Sequence, residues 1–238
     1  MPKRSRHPAA TTVLLVLGAI GCASAMPAER AVSAGSEQRP PLAAAEAAPS
    51  AERQQTTLRL PVRGTWIVGQ GYNGAETHIG YAAFALDLVK VDEQGRAYSR
   101  SGRRAKDWYG FGAEVLASAA GIVVRVVDRF PDNRVLGNAL ETNTIIIQHR
   151  AAEFSEYVHL KRGSVQVRVG DRVEAGQPIA RCGNSGAQTP HLHWALLSSI
   201  DPILTRPAVF SNVEVRDAGG AWQPASEIPR SGDVIRSR

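Results

Sequence analysis

Cysteine, long apolar runs and charge of one sign are all scarce in this sequence. Of its 238 residues only Cys22 and Cys182 are cysteines, so the mature domain has no internal disulfide unless Cys22 is retained. No apolar run approaches the ~20 residues that a membrane-spanning helix needs. The net charge is +6, and without residues 1–25 it is +3, from 25 basic and 22 acidic residues. Such a mild excess gives no case for a nucleic-acid partner, and we expect none.

The first 25 residues have the pattern of a bacterial export signal. A basic start is followed by an apolar run, Val13–Ile20, and then by small residues. Two cleavage sites compete. The segment Ala19–Cys22 is similar to a lipobox, in which Cys22 would be acylated, whereas Ala23–Ala25 fits the rule for ordinary signal peptidase. We favour the lipoprotein, with Cys22 as a membrane tether, and expect an exported periplasmic, outer-membrane or secreted protein.

The rest of the chain divides by composition into three parts. Residues 26–56 are rich in Ala, Pro, Ser, Glu and Gln and predict a flexible tether. Residues 57–215 predict a domain of short strands, and residues 216–238 a C-terminal extension. The chain after Phe210 predicts one more strand before a frayed end. The predicted strands are TLRLPV, WIVGQ, FALDLV, EVLASA, GIVVRVV, NTIIIQH, EYVHL, QVRV, QPIARC and HLHWALL. This pattern favours an all-β fold, an antiparallel sandwich or a partly closed barrel.

Histidine and one isolated aspartate are the main candidates for chemistry. In the run PHLHWAL, His191 and His193 are two positions apart and share one face of an extended strand. That pair alone fits either a solvent-facing polar surface or a metal site. Asp87 lies between two leucines in FALDLV and needs a cation, either an arginine such as Arg125 or a metal. Cys182 is interpreted as a small apolar filler.

A family resemblance rests on motifs spread over residues 61–215. The motifs are THIGYAAFALDLV, GAEVLASAAGIVVRVVD, YVHL, a V-x-x-G-D-x-V-x-x-G-Q-x-I segment, CGNSG and PHLH, in that order. Together they resemble the catalytic domain of the lysostaphin-like, or LytM, zinc metallopeptidases, which cut peptide bonds in peptidoglycan. The resemblance implies an enzyme with zinc as its cofactor and peptidoglycan peptides as its partners.

The resemblance also assigns roles to five residues. It implies that His78, Asp87 and His193 hold the zinc and that His159 and His191 are the catalytic residues. One departure concerns spacing, because the family usually has H-x-x-x-D, whereas His78 and Asp87 are nine positions apart. We interpret the segment IGYAAFAL between them as an enlarged connection.

The residue types fit the implied chemistry for independent reasons. Three protein ligands leave the fourth position of zinc for water, as in catalytic sites. The chain has no H-E-x-x-H motif, so proton transfer falls to another group, and histidine titrates in the useful range. We expect a monomeric zinc endopeptidase. The alternatives are a non-catalytic protein of this fold that binds peptidoglycan or activates another hydrolase, and an enzyme acting on other exported substrates.

Three further features stay open at this point. His149 ends a strand of isoleucines, where a structural hydrogen bond is more common than metal binding, and it is left out of the site. Tyr157 lies two positions before His159, so strand alternation gives it either a packing role or a substrate contact. The segment 92–112, with Trp108, Tyr109 and Phe111, fits either a surface loop or a wall of the substrate groove.

Overall fold

The computed structural model describes residues 54–74, 76–132, 141–225 and 227–238. The predicted export signal, residues 1–25, lies outside these ranges, as does the predicted tether, residues 26–56, except for its last three residues. Within the described ranges, no helix combines the length and the apolar character that crossing a bilayer requires.

Short strands make up nearly all of the regular structure in the described ranges. The strands are β1 (Thr65–Gln70), β2 (Ala85–Lys90), β3 (Glu114–Leu116), β4 (Gly121–Val127), β5 (Thr144–Arg150), β6 (Glu153–Val158), β7 (Arg172–Val173), β8 (Pro178–Arg181), β9 (Leu192–Ile200), β10 (Ile203–Arg206), β11 (Val213–Arg216), β12 (Trp222–Pro224) and β13 (Val234–Ser237). Two single 3₁₀ turns, Gly80–Ala82 and Ala105–Asp107, interrupt them. The prediction of an all-β domain is confirmed.

The strands form one large antiparallel sheet and one small one. The order in the large sheet is β12-β11-β13-β1-β2-β9-β6-β5-β4-β7, and β10 pairs with β9 outside this path. Strands β3 and β8 form a separate antiparallel pair. Over the described part of the chain the large sheet does not close into a barrel, so the sandwich-like form of the prediction describes it best.

Strict alternation in β2 and β9 separates the core from the opposite face of the sheet. In β2, Leu86 and Leu88 enter the main core, and in β9, Leu192 and Trp194 do the same; all four are fully buried. Burial of each such side chain stabilises the fold by about 1.5–3 kcal/mol. Because side chains on a strand alternate, the polar residues between these apolar ones are turned to the other face of the sheet.

Two of the predicted strands are not strands in the structure. TLRLPV, residues 57–62, makes one isolated bridge from Leu58 to Phe210 and single hydrogen bonds such as Arg59 N–H to the Ser118 carbonyl. QVRV, residues 166–169, donates from Gln166 to the Ile179 carbonyl. Both have an alternating pattern, but they meet their neighbours at isolated points rather than along a ladder.

The C-terminal segment is more ordered than its sequence predicted. The prediction of a single strand followed by a frayed end is wrong. The segment 213–237 contains three strands, β11, β12 and β13. Strand β13 pairs with β1 on one side and β11 on the other, and Ile235 is fully buried. Strand β1 lies far from β13 in sequence, so the local pattern of residues gave no sign that these two strands pair.

A buried carboxylate fixes the first described residues to the sheet. Glu153, at the start of β6, is 2% exposed and accepts hydrogen bonds from the backbone N–H groups of Gln55 and Thr56, at 2.7 and 2.9 Å, and from the Thr56 hydroxyl. The Arg206 guanidinium lies 3.7 Å from the same carboxylate. Burial raises the pKa of Glu153, but these donors outweigh it, so the pKa lies below its ordinary value.

The Glu153 contact predicts a pH-dependent loss of stability in Glu153→Gln. The pKa of this group is lower in the folded chain, so its contribution is complete above the ordinary pKa of 4.5 and is lost as the pH falls through the folded-state pKa. We expect the variant to be less stable by about 1–3 kcal/mol at neutral pH and the difference to shrink below pH 4.5. Denaturant unfolding over a pH series measures this, and a difference that does not change with pH would contradict it.

Candidate metal centre

Three neighbouring strands bring the predicted site residues together on one face of the large sheet. Asp87 of β2 is paired with His193 of β9, and His193 is paired on its other side with Val158 of β6. His191 lies just before β9, and His159 follows directly after β6. The ring centroid of His159 lies 4.6 Å from that of His191 and 6.0 Å from that of His193. The structure therefore collects all five residues around one point.

The three residues predicted to hold a metal form the tightest part of this cluster. His78 Nε2 lies 3.2 Å from Asp87 Oδ1, and His193 Nδ1 lies 2.9 Å from the same oxygen. The three atoms all lie within 4.8 Å of one another. Ligands around a tetrahedral zinc ion lie roughly 3.3 Å apart, so a modest adjustment would place these three at coordinating distances.

His78 supplies the observation that tests whether a metal fits. It is fully buried, and its Nδ1 lies 2.9 Å from the carbonyl of Gly71. A carbonyl only accepts, so Nδ1 carries the proton and Nε2 presents a lone pair. That Nε2 has no hydrogen-bond partner among the described residues, yet it faces the Asp87 carboxylate. Two acceptor atoms held this close in a buried place call for a cation between them, and the residues fit a divalent metal such as zinc.

The long spacing between His78 and Asp87 is accommodated in the connection before β2. The 3₁₀ turn Gly80–Ala82 lies in this segment, and the turn leaves Ile79 and Tyr81 exposed, at 61% and 67%. The turn returns the chain to β2, so that Asp87 reaches His78 despite the nine positions between them. The interpretation of this segment as an enlarged connection agrees with the geometry.

The electrostatics of Asp87 follow from its histidine neighbours. Burial raises the pKa of Asp87, but the neighbouring histidines, first His191 and then His193 and His78, outweigh burial and hold the pKa well below its usual range. Arg125, the alternative cation, lies on β4, and its guanidinium reaches the Ile200 carbonyl at 3.4 Å instead. In the described ranges Asp87 forms ion pairs with histidines alone.

His159 and His191 flank the three candidate ligands and present the same tautomer. His159 Nδ1 lies 2.7 Å from the Ser185 carbonyl, and His191 Nδ1 lies 2.9 Å from the Thr189 carbonyl. Each Nδ1 therefore carries a proton, and in the neutral ring each Nε2 presents a lone pair. His191 Nε2 lies 3.6 Å from Asp87 Oδ1. Burial, followed by repulsion from His191 and His193, lowers the pKa of His159 to about 3. His159 is thus neutral near pH 7.

The backbone at His159 explains how this side chain reaches the site. His159 has φ of 61°, in the left-handed region that residues other than glycine rarely adopt. Its carbonyl accepts from Gly183 N–H, and the next residue, Leu160, donates to the Asn143 carbonyl. Such strain persists only where surrounding contacts hold it, and it concentrates at functional sites.

The supporting residues of His159 were not identified from the sequence. Ser185 Oγ donates to the Leu160 carbonyl and accepts from Asn143 N–H, at 3.0 and 2.9 Å. Asn143 Nδ2 also donates to Leu160. Both residues are fully buried. The motif CGNSG was the available signal, but the sequence did not reveal that its serine carbonyl orients His159.

Tyr157 belongs to the core and not to the site. The expectation that it shares a face with His159 is wrong, because the left-handed turn at His159 breaks the alternation after Val158. Tyr157 is fully buried, and its hydroxyl accepts from Ser118 N–H at 2.7 Å and from Ser155 Oγ at 2.9 Å.

His149 and Cys182 also have structural positions. His149 is bonded to the Ala120 carbonyl and to Ser155 Oγ, at 2.9 and 2.8 Å, away from the three candidate ligands. Cys182 is fully buried in the main core. Burial, followed by the charge of Asp132, raises the pKa of its thiol to about 12, so it stays protonated, as expected of an apolar filler.

The aromatic residues of the segment 92–112 pack mainly within that segment. Trp108 Nε1 donates to the Gly102 carbonyl, and its ring lies 5.1 Å from that of Tyr98. The Tyr109 hydroxyl lies 3.2 Å from Asp92 Oδ2. These contacts fit the surface loop better than the groove wall.

Two imidazoles and one carboxylate around a single point, on an antiparallel β-sheet, could hold one metal ion of the zinc type. Residues 106–203 match the model of peptidase family M23. This match includes His159, His191 and His193, whereas His78 and Asp87 lie before it. The predicted resemblance to this family is confirmed over residues 106–203.

Similar proteins cover short parts of the chain. The peptidoglycan DD-endopeptidase ShyA of Vibrio cholerae is 37% identical over 62 residues, 26% of this chain and 14% of that protein. The outer membrane antigenic lipoprotein B of Haemophilus influenzae is 34% identical over 120 residues, 48% of this chain and 27% of that protein. The matched part of this chain thus corresponds to about a quarter or less of the length of these relatives.

Solved structures with a related fold include two peptidases. The M23 metalloprotease Pseudoalterin, described as from the deep sea, has a TM-score of 0.46 at 18% identity, covering 74% of this chain and 95% of that one. The catalytic domain of lysostaphin from Staphylococcus simulans has a TM-score of 0.34 at 18% identity, covering 60% and 83%.

The ligand assignment predicts which variants lose zinc. His78→Ala and His193→Ala each remove one of the three donors, so we expect both to lose the roughly one tightly bound zinc ion per chain that such a site holds. His159→Ala is the matched control, since it removes a neighbouring imidazole that is not a ligand. Metal analysis after dialysis measures the content. Retention of zinc by His78→Ala, at the level of the intact protein, would exclude His78 as a ligand.

The position of Tyr157 predicts a loss of stability alone. Tyr157→Phe leaves Ser118 N–H and the Ser155 hydroxyl without their acceptor in the core, which costs about 1–3 kcal/mol. We expect denaturant unfolding to show this loss and zinc content to stay unchanged. A variant with normal stability but reduced zinc content would show that Tyr157 supports the site after all.

Proposed function

We propose that the protein is a zinc-dependent endopeptidase that hydrolyses peptide bonds of bacterial peptidoglycan. The observation that carries the proposal is the buried lone pair of His78 Nε2 facing the Asp87 carboxylate, beside His193. The other two histidines stand next to this set with free lone pairs. A metal-binding set with adjacent proton acceptors suits hydrolysis better than a purely structural metal, whose site is closed by a fourth protein ligand.

The proposed chemistry divides between the metal and the two flanking histidines. Zinc, when bound, supplies a Lewis acid and a water of lowered pKa. His159 and His191 each offer an Nε2 lone pair that can accept the proton of the attacking water and return it to the leaving amine. The Nδ1–H groups of the two histidine rings donate to the backbone carbonyls of Ser185 and Thr189. These hydrogen bonds fix the orientation of the rings. The protonated ring can also donate a hydrogen bond to the developing oxyanion.

The choice of substrate rests on the relatives. The match to peptidase family M23, and the similarity to a protein described as a peptidoglycan DD-endopeptidase, favour peptidoglycan peptides over other exported substrates. We further propose that the protein acts as a monomer outside the cytoplasm, tethered to a membrane through a lipidated Cys22. The similarity to an outer membrane lipoprotein supports this location.

The proposed activity predicts soluble products from purified peptidoglycan. We expect the zinc-loaded protein to release peptide fragments that mass spectrometry identifies and that name the bond cut. His159→Ala is the matched control, because it keeps the three ligands and removes one proton acceptor, and we expect its turnover to fall by about 10²-fold or more.

Two results would contradict this proposal. If a sample shown to hold zinc released no fragments, the endopeptidase would be excluded in favour of a binding protein or another substrate. If His159→Ala remained fully active, the role given to His159 would be wrong.

A further inference from the structure

A second row of side chains lies next to the metal ligands on the same face of the sheet. Ala85 of β2 is paired with Ala195 of β9, and Ala195 is paired with Glu156 of β6. Each lies two positions from the neighbouring row, which contains Asp87 and His193. Because side chains alternate along strands, Ala85, Ala195 and Glu156 lie on the same face as the ligands. A diagonal neighbour across two strands is about 7–8 Å away, which is the separation expected between Glu156 and His193.

Glu156 has a carboxylate without a partner. The residue is 8% exposed, and no hydrogen bond or ion pair reaches it from the residues that the structure describes. The charge of Arg125 acts on Glu156, but the Arg125 guanidinium donates to the Ile200 carbonyl. Its oxygens are not among the side-chain atoms cut off from solvent, so a ligand can reach a carboxylate that the described residues leave without a donor.

The side chains around Glu156 are apolar and offer its carboxylate no hydrogen-bond donor. Its paired neighbours Ala195 and Ile146, together with Ala85 and Leu197, form a second buried apolar cluster with no side-chain donor. Burial raises the pKa of Glu156, and the charges of His193 and Arg125 oppose this. An ionic hydrogen bond formed in such a place is stronger than one formed in water.

We propose that Glu156 is a specificity-determining residue that binds a primary amine of the substrate next to the scissile bond. The proposal rests on the proposed function, because it takes the metal centre as the place of cleavage. An ammonium group carries three donors and a positive charge, which supply what the carboxylate lacks. An extended peptide advances ~3.3 Å per residue, so the amine belongs to a residue within about two positions of the bond that is cut.

Binding of two peptides tests this proposal without depending on turnover. The probes are a soluble cross-linked peptide from lysine-containing peptidoglycan with one free side-chain amine and the same peptide after acetylation of that amine. Calorimetry with the zinc-loaded His159→Ala protein, which keeps the three ligands but is expected to turn over about 10²-fold or more slowly, should show that the free amine binds about tenfold or more tightly. Glu156→Gln should bring this ratio close to one. Glu93→Gln is the matched control, because Glu93 is exposed on the segment after β2, and it should leave the ratio unchanged.

The outcomes separate this proposal from the proposed function. The role of Glu156 would be overturned if the protein that keeps Glu156 bound both peptides equally or bound neither. It would also be overturned if a folded Glu156→Gln variant kept the same ratio of the two affinities. Cleavage of the same peptides is followed separately. Amine-dependent binding without any cleavage would support the role of Glu156 and overturn the endopeptidase.

Discussion

The site depends on one electrostatic constraint, the Asp87 carboxylate held between histidines on the polar face of the sheet. Strand pairing places it beside His193, and the connection before β2 returns His78 to it from the other side. The Gly71 carbonyl fixes the proton of His78 on Nδ1, which leaves two acceptors facing each other. A cation would resolve this conflict, so the fold and the hydrogen-bond pattern together support the proposed metal site.

The remaining parts of the site follow from how two loops meet the ends of strands. After β6 the chain turns at His159 through a left-handed conformation, which moves this ring from the plane of the strand to the metal centre. Ser185 holds the ring through its carbonyl, and Asn143 holds Ser185. The same turn leaves Tyr157 on the core side. Two residues only two positions apart therefore have different roles, one in packing and one in chemistry.

Much of this arrangement could be predicted from the sequence. The short alternating runs predicted the all-β fold, and the family resemblance of the motifs around the histidines and Asp87 implied a metal site. The pairing of β13 with β1, the support of His159 by Ser185 and the position of Tyr157 could not be predicted, because each depends on contacts between distant segments or on one unusual backbone angle. Glu156 gave no signal either, since an acidic residue in a strand is ordinary until its burial and its missing partner are seen.

The central claim is that one metal ion is held by His78, Asp87 and His193. A crystal structure of the zinc-loaded protein, with anomalous scattering recorded at the zinc edge, tests it most directly. The account predicts a single strong peak about 2.0–2.2 Å from His78 Nε2, an oxygen of Asp87 and His193 Nδ1, with a water in the fourth position. A peak coordinated by His159 or His191 in place of one of these residues, or no ordered zinc at all, would contradict it.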